Sequence, residues 1–216
     1  LQSANEDELR LLGRTHTAQD VADCVSLARN SEFNNISLDL MLGLPNSNAI
    51  TLKKSLDFIT DLEVEHISAY ILKIEEKTAI SKMDLPFLDD DAIAEQYLFV
   101  CDYLKDKGYS HYEISNFAKQ GFEGRHNTKY WLTEEYLGIG ASAHSFLNGE
   151  RFFYDADLKG FIKNPHIIKD GTGGDFREYF MLALRLKSGI DIRQYEKDFN
   201  LTIGDDFYKF LKLYHL

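Results

Sequence analysis

The chain has 216 residues, which is enough to bury a sizeable core in one or two domains. Hydrophobic residues make up 44% of the chain and charged residues 27%, so its composition is that of an ordinary globular protein. The formal net charge of −11 argues against a protein that binds nucleic acid or an anionic membrane over a broad surface.

The cysteines and the chain ends bear on cellular context. Cys24 and Cys101 are far apart in the sequence, so this chain alone does not supply a thiolate metal site. Two unclustered cysteines, with no secretory signal pattern and no long apolar run, predict a cytoplasmic protein without a membrane span. The first residue is Leu1 and not methionine, so we expect the chain to be part of a longer protein.

The first half of the chain alternates between helical and strand patterns. Thr17 with Asp20 predicts a helix start, and residues 36–42 then alternate apolar and polar side chains as a strand does. A second strand is predicted over 66–74. Between the two strands lies a helix whose apolar face comprises Leu52, Leu56, Ile59 and Leu62. This alternation predicts an α/β fold, either a barrel or a doubly wound sheet.

The second half is less regular. Asp89 to Asp91 predict the start of a long helix that Gly108 closes. Residues 109–146 are aromatic and irregular, and the glycine-rich stretch 171–174 indicates a boundary. A small helical module is predicted after that boundary.

Asp39 is the first candidate site residue. A carboxylate in the middle of a predicted barrel strand faces the barrel interior or its mouth, where burial is costly without a partner. One interpretation is a structural ion pair with an arginine such as Arg14. The other is a ligand-binding carboxylate, and the residues alone leave both open.

The stretch RHNTKYW (125–131) is the second candidate. A helical turn here would place His126 and Tyr130 on one face at i,i+4 spacing. Imidazole is a good ligand for haem iron, and aromatic side chains suit the faces of a porphyrin. The alternative is a packed aromatic cluster that contains a hydrogen-bonded histidine.

Several motifs together resemble one family. In chain order they are QS followed by LGRTHT, ISLDLMLGLP, HISAYILKIEEKT, and YSHYEISNFAKQGFEGRHNTKYW followed by YLGIGASAHS. This series is similar to the oxygen-independent coproporphyrinogen III oxidase-like radical SAM family, and within it to the haem-chaperone branch. The match runs from Gln2 to about Ser145 and continues more weakly through 176–191.

The resemblance implies an architecture. The family has a partial TIM-like (β/α)6 radical SAM barrel followed by a small, mainly helical, winged-helix-like domain. It implies that residues 1–146 are the second part of the barrel with a haem-motif extension. Residues 147–174 would then be a connecting segment, and residues 175–216 a truncated helical domain.

The resemblance also implies cofactors. Gln2, Arg14 and Asp39 match family positions that contact S-adenosylmethionine. The [4Fe-4S] cluster of the family is held by a three-cysteine loop that is absent from this chain, so its ligands would lie outside it.

Haem is the third group that the resemblance implies. The branch motif H-N-x-x-Y-W stands here as His126, Asn127, Tyr130 and Trp131, with His126 the leading ligand for haem iron. Many family members have a cysteine directly before the arginine of this stretch, whereas this chain has Gly124, so no thiolate contributes there.

The resemblance leaves three functions open. The first is a haem chaperone that passes haem to an unidentified acceptor protein, with transient membrane association at most and no nucleic-acid partner. The second is an oxidase that decarboxylates porphyrinogen propionates, so whether the protein is an enzyme stays open. The third is a fragment with no activity of its own.

Overall fold

The structure is a computed structural model that describes the backbone of residues 1–76 and 78–213 and the side chains of that range as far as residue 209. The chain divides into two compact units, Leu1–Gly124 and Arg125–Leu216. The division falls before the haem-motif stretch and not at the predicted boundaries of 146 and 174. The functional domain assignment itself stays a prediction, and residues 214–216 of its last domain lie outside the described range.

The first unit alternates helices and strands, as its sequence pattern predicts. Its elements in chain order are α1 (Glu6–Leu11), α2 (Ala18–Asn30), β1 (Ser37–Leu42), α3 (Ala49–Asp61), β2 (His66–Ile71), a 3₁₀ turn (Ile80–Lys82), α4 (Asp90–Asp106), β3 (Ser110–Glu113) and β4 (Asn116–Ala118). The predicted helix starts are confirmed. Thr17 forms a reciprocal capping box with Asp20, and Asp89 caps α4 through the Ala92 N–H.

The four strands form one mixed sheet in the order β1–β2–β4–β3. β1 and β2 are parallel and joined by α3, the crossover helix that a parallel pair needs, and β4 is antiparallel to both β2 and β3. The pairing of β3 with β4 contains an irregularity between His111 and Glu113. A short parallel bridge joins Gln2 to Leu40 on the other side of β1.

One face of this sheet is covered by helices. The alternation predicted for β1 is confirmed, because Leu38, Leu40 and Leu42 are buried while Asp39 and Met41 are only half-buried. The buried core comprises Leu1, Val25, Leu38, Leu40, Leu42, Leu52, Leu56, Ile59, Val64, Ile67, Ala69, Val100, Leu104, Tyr109 and Phe117. The polar residues of β1 therefore project from the face opposite this core, which we call the open face.

The second unit combines a small sheet with helices. Its elements are α5 (Arg125–Trp131), β5 (His144–Leu147), β6 (Glu150–Tyr154), α6 (Leu158–Lys163), β7 (Ile167–Thr172), α7 (Phe176–Ala183), α8 (Ile192–Phe199) and α9 (Asp205–Leu213). β5, β6 and β7 form an antiparallel sheet in that order. The helical module predicted after the glycine-rich stretch is present, and Asp175 caps its first helix, α7.

The segment 147–174 differs from its description as a connecting segment, because it contains β6, α6 and β7. A tight turn at Asn148 and Gly149 explains the hairpin of β5 and β6, since both residues have positive φ angles of 51° and 74°. An Asn-Gly pair is a strong signal for such a turn because both positions require left-handed backbone.

Candidate functional site

Gln2 lies beside Asp39 through the backbone. The Gln2 N–H donates to the Asp39 carbonyl at 2.8 Å, and the Gln2 carbonyl accepts from the Met41 N–H at 2.8 Å. The Gln2 side chain is buried, and its Oε1 has no hydrogen-bond partner among the residues that the structure describes. An unpaired buried amide oxygen costs about 1–3 kcal/mol, so this atom is one that a ligand could satisfy.

Asp39 stands in the middle of β1 on the open face. Its side chain is half-buried, and within the described range its carboxylate accepts no hydrogen bond. The alternation of β1 places Asp39 on the face opposite the buried Leu38 and Leu40, and its role as a ligand residue stays a prediction. A structural ion pair with Arg14, which the sequence left open, is not formed.

Arg14 is placed by the end of α1. The Arg14 N–H donates to the Leu9 carbonyl at 2.9 Å and the Gly13 N–H to the Arg10 carbonyl at 3.0 Å, which together make a Schellman motif. Gly13 occupies the left-handed position with φ of 67°. The arginine that follows is exposed, and it forms no ion pair within the described residues.

Asp39 and Arg14 both act electrostatically on the start of the chain, next to Gln2. Burial lowers the pKa of the Leu1 amino group most strongly, and the charges of Asp39 and Arg14 act on the same group in opposite directions. Both charged side chains are therefore within electrostatic reach of the residue next to Gln2. Their donors and acceptors could serve the hydroxyl, carboxylate and amino groups of a nucleoside amino acid.

The RHNTKYW stretch forms the helix α5 in the second unit, as the i,i+4 spacing predicts. The Tyr130 hydroxyl lies 2.8 Å from His126 Nε2, and the two rings meet edge to face with centroids 5.0 Å apart. His126 is exposed, and its Nδ1 makes no hydrogen bond to any described residue. One ring nitrogen of this histidine is therefore accessible for a metal.

The other half of the motif faces into the second unit. The guanidinium of Arg185 stacks over the Trp131 ring at 4.1 Å from its centroid. Trp131 Nε1 is buried and has no hydrogen-bond partner within the described part of the chain, and Asn127 is half-buried. The structure thus brings His126 and Tyr130 together, while Trp131 packs under Arg185, which follows α7.

The structure contains a hydrogen-bond network centred on His66, which the sequence analysis did not identify. His66 Nδ1 lies 2.7 Å from Ser37 Oγ, and Nε2 lies 2.8 Å from the Tyr112 hydroxyl, which accepts the Gly124 N–H at 2.9 Å. Both ring nitrogens of His66 are thus hydrogen-bonded, and Tyr112 links the ring to the backbone at Gly124. The alternation of His66 with Ser68 and Tyr70 along β2 was the available signal.

The described residues contain no group of three or more His, Cys, Asp or Glu side chains arranged for a metal ion. Cys24 is exposed and Cys101 half-buried, and neither forms a disulfide. In the same part of the chain, none of the helices has the length and apolar character needed to cross a membrane.

No protein-family model matches the chain. Curated relatives do match, among them the haem chaperone HemW of Lactococcus lactis, 32% identical over 94% of this chain and 56% of the relative. HemW of Bacillus subtilis is 32% identical over 98% of the chain and 59% of that relative. The mitochondrial radical S-adenosyl methionine domain-containing protein 1 of Mus musculus is 36% identical over 82% of the chain and 37% of its own length. Over nearly its whole length the chain is thus similar to proteins named HemW, and over most of it to a radical S-adenosyl methionine domain-containing protein.

The fold of the chain also matches a solved structure. The radical SAM enzyme HemN, the coproporphyrinogen III oxidase of Escherichia coli, superposes with a TM-score of 0.80 at 18% identity, over 99% of this chain and 54% of that chain. At that identity the likeness shows the fold alone. The α/β family fold that the sequence predicts, a partial barrel followed by a helical part, is therefore confirmed.

The chain covers only part of the length of its relatives. The chain spans about half the length of the HemW relatives that it matches, 56% and 59% in the two bacterial cases. The activity, substrates and partners of the whole protein are therefore matters for proposal.

Proposed function

We propose that the protein is a haem-binding chaperone that holds haem at α5 and passes it to an acceptor protein. The observation that carries this proposal is the exposed His126, whose ring is oriented by Tyr130 and keeps one nitrogen accessible. Relatives that cover almost the whole chain carry the name of a haem chaperone, which supports the same function.

The geometry of α5 leaves one nitrogen of His126 for haem iron. Tyr130 contacts Nε2 of His126, so Nδ1 is the nitrogen left for haem iron as long as that hydrogen bond is kept. A hydrogen bond to the second ring nitrogen fixes the orientation and basicity of a metal-binding imidazole. Tyr130 would therefore orient the ligand, and Asn127 and Trp131 complete the motif without reaching His126 through a described contact.

We propose further that the whole protein binds S-adenosylmethionine and a [4Fe-4S] cluster, because a relative carries the radical S-adenosyl methionine name and a radical SAM enzyme shares the fold. The residues present fit the first of these, because the buried Gln2 Oε1 is unpaired within the described range and Asp39 and Arg14 lie nearby. When bound, this cofactor pair supplies one-electron chemistry. Gln2, Arg14 and Asp39 would bind and orient the nucleoside, and the cluster ligands are expected outside this chain.

The proposal also covers where the protein acts and which partners it contacts. We expect the protein to act in the cytoplasm, to contact membranes at most transiently and to have no nucleic-acid partner, in line with its net charge of −11. The alternative function, an oxidase that decarboxylates porphyrinogen propionates, would use the same residues to hold S-adenosylmethionine. The likeness to HemN concerns the fold and does not favour decarboxylation over haem transfer.

The experiment is a titration of the whole protein with haemin, followed by its Soret band. We expect the His126→Ala variant to lose at least about tenfold in haemin affinity, because the iron loses its imidazole. The matched control is His166→Ala, which removes another exposed histidine of the same unit. Equal spectra for wild type and His126→Ala would remove His126 as the ligand.

A further inference from the structure

A thiol and an imidazole face each other between α4 and β3. Cys101 Sγ lies 3.9 Å from His111 Nδ1, within the reach of a hydrogen bond to sulfur. Both residues are half-buried, which leaves part of the pair open to small molecules while bulk water is partly excluded. Neither residue belongs to the sets assigned above to haem or to S-adenosylmethionine.

The second nitrogen of the His111 ring faces two acceptors. His111 Nε2 lies 3.2 Å from the Ile114 carbonyl oxygen and 3.3 Å from the Tyr97 hydroxyl oxygen. The Tyr97 hydroxyl donates its own proton to the same carbonyl at 2.8 Å, so its oxygen is an acceptor towards the ring. This arrangement favours the ring proton on Nε2 and presents the lone pair of Nδ1 to the thiol.

Packing fixes the plane of the imidazole. The His111 ring stacks on the fully buried Phe117 ring, with centroids 4.4 Å apart and planes inclined by 14°. The Tyr97 ring meets the imidazole edge to face, with centroids 6.1 Å apart. Two aromatic rings and one carbonyl therefore orient the imidazole, as the base of a nucleophile–base pair must be oriented.

The hydroxyl of Tyr97 keeps its proton at this place. Burial most strongly, and then the neighbouring Cys101, raise the pKa of Tyr97 to about 12, and the charge of Glu113 on β3 acts in the same direction. At neutral pH Tyr97 is therefore a donor to the Ile114 carbonyl and does not take the thiol proton. His111 is the base of the cluster.

We propose that Cys101 is a reactive thiol with His111 as its base, and that it is a modification site for small hydroperoxides, hydrogen peroxide among them. His111 takes the thiol proton at Nδ1, and the sulfur attacks the terminal oxygen of the hydroperoxide. The S–O bond forms as the O–O bond breaks, and the proton passes from His111 to the leaving oxygen, which departs as water or an alcohol. The sulfur is oxidised by two electrons to a sulfenic acid, and the hydroperoxide is reduced by the same two electrons. The inference is independent of the proposed haem and S-adenosylmethionine sites.

The first test compares the two thiols of this chain in the whole protein. Iodoacetamide is added at pH 7, and the alkylation of each cysteine-containing peptide is followed by mass spectrometry. We expect Cys101 to react faster than the exposed Cys24, although burial alone would make it slower. The comparison needs no variant, because both thiols are in one molecule. A rate at Cys101 equal to or below the rate at Cys24 would overturn the assignment.

The second test removes the base. We expect His111→Asn to lower the alkylation rate of Cys101 at least about tenfold, because assistance by a positioned base contributes that much or more. The rate of Cys24 should stay the same in this variant. The matched control is His166→Asn, which removes an exposed histidine outside the cluster and should change neither rate. A Cys101 rate in His111→Asn that equals or exceeds that of wild type would overturn the role of His111.

The oxidation itself is measured with hydrogen peroxide in the presence of dimedone, which traps sulfenic acids. We expect more dimedone adduct at Cys101 than at Cys24 in wild type, and about tenfold less at Cys101 in His111→Asn. The absence of an adduct at Cys101 in wild type would contradict the oxidation step.

Discussion

At the scale of single residues, His66 is a buried histidine that is hydrogen-bonded through both ring nitrogens. Its ring is only 6% exposed and both of its nitrogens are hydrogen-bonded, one to Ser37 and one to Tyr112. Burial lowers the pKa of His66 and so favours the neutral ring in the folded state.

This environment predicts a pH dependence of stability. Burial holds the pKa of His66 below its ordinary value of 6.5, so below that pH the unfolded state binds more protons than the folded state. The stabilisation is complete above pH 6.5 and is lost as the pH falls through the lowered value. We expect the free energy of unfolding to drop more for wild type than for His66→Asn between about pH 7.5 and 5. Parallel slopes in urea titrations at the two pH values would contradict this.

Sequence reasoning reached Asp39 but not the contact of Cys101 with His111, for a physical reason. The alternation of 36–42 is enough to place Asp39 on the open face. Strand β3 has only four residues, too few for a periodic pattern, and its position is set by its pairing with β4 and its packing against α4. A contact between a thiol and an imidazole depends on such packing and cannot be read from the local sequence.

At the scale of elements, the end of α1 links a glycine to the candidate site. Gly13 has a φ of 67°, and a Cβ added there would meet nothing within 4 Å, so the need for glycine comes from the backbone alone. The same turn directs the chain into Arg14 through the bond from its N–H to the Leu9 carbonyl.

We therefore predict that Gly13→Ala destabilises the protein by about 1–2 kcal/mol, the cost of a left-handed conformation for a residue with a Cβ. Asparagine tolerates this conformation, so Gly13→Asn should cost clearly less and serves as the matched control. Chemical denaturation measures both. Equal stability of wild type and Gly13→Ala would show that the turn does not require the positive φ.

The two units differ in how far their elements can be predicted. The helices and strands of 17–108 follow clear periods and are found where expected, with Thr17 and Asp89 as caps. The hairpin of β5 and β6 was missed although its signal, the Asn148-Gly149 pair, is local. The aromatic residues around it conceal the alternation, because Phe152, Phe153 and Tyr154 are apolar on both faces of β6.

At the scale of the whole molecule, the chain carries two candidate sites in two separate units. Gln2, Arg14 and Asp39 lie in Leu1–Gly124, and α5 begins Arg125–Leu216. The relatives that the chain resembles likewise carry both radical SAM and haem-chaperone names. The two sites should therefore respond separately to substitution.

The most direct test is a crossed titration of the whole protein with haemin and with S-adenosylmethionine. We predict that His126→Ala loses haemin affinity and keeps S-adenosylmethionine affinity, and that Asp39→Asn shows the reverse, each loss being about tenfold or more. A His126→Ala variant that binds haemin as wild type does would contradict the central claim that α5 holds the haem.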